Sequence, residues 1–111
     1  MQARPNRIEE YVRQDGTCPY REWFDALDVQ AAARVATAVM RLAAGNTSTL
    51  KWLGDIGEIR VDSGPGYRIY VAHGPGSIVL LGGGTKRQQA RDIRRARGLR
   101  IEFKARLLVQ R

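Results

Sequence analysis

The stretch from Glu58 to Leu81 constrains the fold more than any other part of the chain. Glu58-Ile59-Arg60-Val61-Asp62 alternates polar and apolar residues, the period of a half-buried strand. Tyr67 to Ala72 repeats the pattern, with Tyr67, Ile69 and Val71 on one face and Arg68 and Tyr70 on the other. Ser77 to Leu81 is almost continuously apolar, as expected near the middle of a sheet. Ser63-Gly64-Pro65-Gly66 and His73-Gly74-Pro75-Gly76 supply the intervening turns. The segment therefore predicts an antiparallel three-stranded meander, with Gly82-Gly83-Gly84 ending the sheet.

The flanks predict helices and one more strand. Arg7 to Arg13, with apolar Ile8, Tyr11 and Val12, reads as a first strand broken by Gln14-Asp15-Gly16-Thr17. Pro19 suits the first turn of a short helix whose apolar face is Trp23, Phe24 and Leu27. Asp28 is a natural N-cap for an alanine-rich second helix, Val29 to Ala44, closed by Gly45-Asn46. After the sheet, Thr85 is placed to cap a last helix. Its apolar stripe is Ile93, Ala96, Leu99, Phe103 and Leu107, and its basic stripe is Arg87, Arg91, Arg94 and Arg95. Gly98 marks an expected break in that helix. The order is β-αα-βββ-α, an α+β fold with a curled antiparallel sheet, a helical hairpin and a C-terminal helix. Residues 1–111 are expected to form a single domain with its core at about 8–105.

Nineteen Lys and Arg against eleven Asp and Glu give a net charge of +8, an excess that points to an anionic partner. Nucleic acid and an acidic protein segment both meet that description. Cys18 is the only cysteine, so no intrachain disulfide and no cysteine metal cluster can form. Nothing in the residues implies a metal or another cofactor. No apolar run is long enough for a membrane span, and Met1 to Arg13 has no signal-like apolar core, so a soluble cytoplasmic protein is expected. Gly82-Gly83-Gly84-Thr85-Lys86 lacks the spacing of a nucleotide P-loop. His73, the one histidine, reads as a solvated turn residue, and Trp23 and Trp52 as core or core-edge residues.

With helices on one sheet face, Glu58, Arg60, Asp62, Arg68 and Tyr70 are expected to line the open one. Lys51 lies just upstream, and Lys86 and Arg87 stand at the sheet's end. Such a surface suits a phosphodiester backbone, because guanidinium groups bind phosphate oxygens bidentately and stabilise charge on the reacting phosphorus. A lysine among cations can act as base or acid, and Tyr70 could stack on a base or orient a phosphate. The same residues could equally be cross-strand ion pairs on a solvated face.

Glu58-Ile59-Arg60-Val61-Asp62-Ser63-Gly64-Pro65-Gly66-Tyr67-Arg68-Ile69-Tyr70 closely resembles the E-L-R-x-x-x-G-P-G-Y-R-x-Y signature of RelE/ParE-type addiction-module killer proteins. Ile78 to Lys86, followed by Gln89 and Asp92-Ile93, is similar to their hydrophobic strand and G-G-D-K-x-x-Q-x-x-D-I segment. Trp23 to Leu27, the alanine-rich helix and Gly45-Asn46 resemble their helical hairpin. The resemblance, closest to the HigB and RelE branches, implies the toxin of a type II toxin–antitoxin system, bound by a cognate antitoxin in a hetero-oligomer. It also implies ribosome-dependent, metal-independent cleavage of mRNA that stops translation and growth. By position, Arg68 and Arg60 would hold the scissile phosphate, Lys86 and Arg87 would stabilise its transition state, and Lys51 would be a candidate base. Tyr70, Arg91, Arg94 and Arg95 would bind RNA. Arg68→Ala is then expected to abolish growth inhibition in a protein that stays folded. Two departures bear on this: Thr85 stands where the family has Asp, and the catalytic tyrosine or histidine of some members has no counterpart at Gln88 to Asp92. ParE-like members inhibit DNA gyrase without catalysis, and a degenerate member would only bind its antitoxin.

Overall fold

The computed structural model describes residues 5–110. The elements, in order, are β1 (Ile8–Glu10), α1 (Pro19–Asp25), α2 (Val29–Ala43), β2 (Leu50–Leu53), β3 (Ile56–Val61), β4 (Tyr67–Gly74) and β5 (Ser77–Thr85). A 3₁₀ turn, Lys86–Gln88, then leads into α3 (Gln89–Val109). The α+β class is as the sequence indicates. The sheet has five strands in the order β1-β5-β4-β3-β2, with β2 an additional edge strand. It is mixed rather than antiparallel, because β1 pairs in parallel with β5 through Ile8↔Ile78 and Glu10↔Leu80.

Local chemistry explains most boundaries. Pro19 opens α1, and Asp28 caps α2 by accepting the Ala31 amide at 2.9 Å. Gly45, at φ 96°, supplies the left-handed residue after α2 that a Cβ would disfavour. The glycine run does not end the sheet, since β5 continues through it to Thr85. A Cβ on Gly83 would overlap the Trp23 ring, and one on Gly84 would overlap the Asp92 carboxylate. These glycines thus permit close packing on both faces. Likewise His73 is a strand residue opposite Ile78, and its ring stacks on Trp52 at 3.9 Å and 14°. Gly98 does not interrupt α3, because it faces open space and costs only helix propensity there.

Both faces of the sheet are covered. On one, Ile59, Val61, Ile69, Val71, Ile78 and Leu80 pack against Tyr20 of α1 and Val35 and Leu42 of α2. On the other, Ile56, Tyr70, Ala72, Val79 and Leu81 pack against Ala96, Leu99 and Phe103 of α3. The expected open face therefore does not exist as such: the apolar stripe of α3 lies across it. A register shift at Tyr70/Val71 leaves Leu81 as an extra residue of β5, between Leu80 opposite Val71 and Gly82 opposite Tyr70.

Candidate functional site

Two cross-strand rows run along the α3 face. Lys51 of β2 opposes Glu58 of β3, which opposes Tyr70 of β4, which opposes Gly82 of β5. In the next row Arg60 opposes Arg68, and Arg68 opposes Gly84. The absence of a side chain at Gly84 leaves room for Asp92 of the first turn of α3, and that turn also brings Gln89 onto Glu58.

The centre of these rows is buried. Arg68 is only 3% exposed. Its Nη1 donates to the Tyr67 carbonyl at 3.0 Å and lies 3.5 Å from Asp62, while its Nε stands 3.8 Å from Glu58. Glu58, equally buried, accepts a 2.7 Å hydrogen bond from the Gln89 side chain. Arg68 is therefore held by protein groups and does not face a ligand. Burial leaves it no open surface for the direct phosphate contact expected of it. Arg68→Ala also ceases to be a clean test of activity, since it strands a buried carboxylate.

Tyr70 is corrected in the same way. It is 1% exposed and packs in the α3 core, so it offers no ring to an RNA base. Burial pushes its phenol well above the ordinary range, and the charges of Glu58 and Asp92 push it further. Its hydroxyl, one Asp92 oxygen (Oδ2) and Arg68 Nε are buried without a hydrogen-bond partner. Such orphaned atoms are costly and mark a locally imperfect, polar part of the core.

Around this centre stand exposed cations. Lys51 and Arg60 line an open groove of about 330 Å³ together with Ser48, Thr49, Glu58 and Asp62. Lys86 follows β5, its backbone N–H donating to the Gly66 carbonyl at 2.9 Å, with its side chain beside Gly66. Arg87 is the next residue of the exposed 3₁₀ turn. Lys51, Arg60, Lys86 and Arg87 form no ion pair with any described residue. They are the members of the expected site that the fold leaves available to an anion.

The basic last helix divides between two tasks. Arg97 and Arg100 pair with Asp55, and Arg97 also donates to the Leu53 carbonyl, so this flank fastens the β2–β3 turn. On the other flank Arg91 and Arg95 rim a cavity of about 330 Å³ that also contains Trp23, Tyr70 and Gly83. Arg91 is engaged by Gln88 at 2.7 Å, whereas Arg94 and Arg95 are exposed and unpaired among the described residues. Glu58 was expected on the polar face of the sheet, but sequence reasoning missed its amide partner Gln89 and the neighbouring Asp92 as members of the site. Their signal was present: Gln89 and Asp92 are one helical turn apart and so share a face. Among the described residues no three His, Cys, Asp or Glu side chains converge as a metal site, and no helix is long and apolar enough to cross a membrane.

The chain is thus a small α+β protein in which a buried charged cluster underlies a cationic sheet edge. No family model matches it. An uncharacterised protein of Haemophilus influenzae is 37% identical over 90 residues, spanning 78% of this chain and 91% of that protein. The chain belongs to the family of that Haemophilus protein.

Proposed function

We propose that the protein is a toxin of the RelE/ParE kind, from a type II toxin–antitoxin system, which cleaves mRNA on the ribosome in the cytoplasm. The observation that carries this reading is the set of exposed, unpaired cations, Lys51, Arg60, Lys86 and Arg87, around the buried Glu58–Arg68 pair. The Gly64-Pro65-Gly66-Tyr67-Arg68 signature supports it, because it forms the β3–β4 turn beside these cations.

Cleavage would proceed by attack of the ribose 2′-oxygen on the adjacent phosphorus. The 2′-proton goes to a base, the P–O5′ bond breaks, and the departing 5′-oxygen takes up a proton. Arg60, Lys86 and Arg87 supply charge to the pentavalent phosphate, and Lys51 is the candidate for proton transfer. Arg68 holds Glu58 and Asp62, which keeps the floor of the groove from presenting free carboxylates to the RNA. A cognate antitoxin would cover the same cations in the toxin–antitoxin complex.

One observation favours a second reading. Tyr70 is sealed in the core and His73 is stacked on Trp52 at the far end of β4, so neither a phenol nor an imidazole faces the groove. A non-enzymatic gyrase inhibitor would need neither, and a degenerate antitoxin-binding member would need less still. Mapping mRNA ends soon after induction without antitoxin separates these readings. Cuts inside translated codons, lost in Arg60→Gln/Lys86→Gln, are expected. Intact messages with DNA damage and filamentation would instead indicate gyrase, and intact messages with normal growth an inactive member.

A further inference from the structure

A second groove, lined by Arg34, Arg41 and Arg60, extends the site beyond the sheet edge onto α2. Its volume is about 470 Å³, and it runs between the outer face of α2 and the end of β3. Arg34, Thr37 and Arg41 line it from α2, and Arg60 and Asp62 line it from β3. The spacing of Arg34, Thr37 and Arg41 puts them on one helix face, with the two guanidinium bases roughly 10 Å apart along the axis. Leu50↔Ile59 is the last paired position of β2 and β3, and the Arg60 amide still donates to the Thr49 carbonyl at 3.1 Å, so Thr49 and Arg60 stand side by side in the wall of the groove.

Three features make this groove a site for a polyanion. Arg34 and Arg41 are exposed and, like Arg60, have no ion-pair partner among the described residues. Asp62 is the one acidic residue lining it, and it is already within 3.5 Å of Arg68. The groove is also continuous with the Lys51 groove, since Ser48, Thr49, Arg60 and Asp62 line both. The cations thus form a bent track from Lys51 through Arg60 to Arg41 and Arg34, longer than a single scissile phosphate requires.

We infer that Arg34 and Arg41 form a second phosphate-binding subsite, which holds the backbone of the RNA strand flanking the bond at Arg60. The inference rests on the RNA-directed reading above and extends it to α2. It predicts binding dominated by phosphate contacts at this end, because the lining offers guanidinium and hydroxyl groups, one amide (Asn46) and one carboxylate (Asp62), and no aromatic platform.

The test is the salt dependence of binding to single-stranded oligoribonucleotides, measured by fluorescence anisotropy on the full chain. Each phosphate contact with a single strand adds about 0.7 to the slope of log K against log salt. Arg34→Gln/Arg41→Gln should therefore lower the slope by about 1.4 and weaken binding at low salt, with the thermal midpoint unchanged. Arg13→Gln/Arg97→Gln removes the same charge from cations already paired with Glu102 and Asp55, and should change the slope much less. An unchanged slope in the α2 variant, with wild-type RNA binding intact, would overturn the subsite alone. Failure of the wild-type chain to bind RNA at all would overturn the RNA-directed reading along with it. Equal or tighter binding of polyglutamate would assign the track to an acidic protein segment and also overturn the inference.

Discussion

The two faces of the sheet are built from alternate residues of the same strands, yet they differ in kind. The face under α1 and α2 is filled by Ile59, Val61, Ile69, Val71, Ile78 and Leu80, with no buried charge among them. The face under α3 has an apolar half, Ile56, Ala72, Val79 and Leu81, and a polar half containing Glu58, Arg68 and Asp92. Burying a charged pair is seldom the most stabilising use of core volume. Stability therefore does not account for the polar half. It lies directly beneath the exposed cations, and we assign it the task of holding the groove floor in place. One face is apolar throughout, and the other joins an apolar half to a buried charged cluster.

The difference can be broken most severely at Arg68. Removing it leaves Glu58 buried without its counter-charge, so Arg68→Ala should destabilise the protein by about 3–5 kcal/mol in denaturant melts. Glu58→Gln/Arg68→Met, which removes both charges and keeps volume, should recover much of that loss. If Arg68→Ala melts like wild type, the polar half is not structurally coupled to the core. A smaller effect is expected at Gly84, where a methyl group would press on Asp92. Gly84→Ala should cost about 1–3 kcal/mol, and Asp92→Ala in the same chain should offset part of it. Additive losses would show that the close contact is not the cause.

On the outer side of α3 the expected sign reverses. Gly98 has an open, helical environment, so Gly98→Ala should stabilise by about 0.4–1 kcal/mol through helix propensity and a less flexible unfolded chain. A loss of stability there would contradict an uninterrupted α3.

The smallest effect concerns pH, and it draws on both faces. Hydrogen bonding from Arg21 holds the Glu10 carboxyl below its usual range, and Arg13 does the same for Glu102. Glu10–Arg21 ties β1 to α1, and Glu102 ties α3 to Tyr11 and Arg13. Because both folded pKa values are lowered, the stability they contribute is present above the ordinary carboxylate pKa of about 4.3. It is lost as pH falls through the folded values. Glu102→Gln should flatten the acid limb of a stability–pH curve, and an unaltered limb would exclude that contribution.

Much of this architecture is legible in the residues. Period-two alternation placed Ile59, Val61, Tyr67, Ile69 and Val71 on one face, and Asp28 and Gly45 bounded α2, because these signals are local. What escaped was set by contacts distant in sequence. The parallel pairing of β1 spans only Ile8 to Glu10, and β2 is four residues long, too short for its periodicity to register. The stripe on α3 was visible, but not the face it would cover, and that choice buries Arg68 and Tyr70. Gly82-Gly83-Gly84 carries the signal of a chain break, whereas here the residues that need the space, Trp23 and Asp92, lie far away in sequence or on another element. The cations of the site could be named from sequence; which of them reach solvent could not.

The most direct test of the account is a programmed ribosome, with message in the decoding site, mixed with purified protein and then with Lys51→Gln/Arg60→Gln. The account predicts a cut within the decoding-site codon by the wild-type chain. It predicts none by the variant, with both proteins melting at the same temperature. An intact message under wild-type protein, or undiminished cleavage by the variant, would contradict the claim that the exposed cations of the β2–β3 edge carry out RNA cleavage.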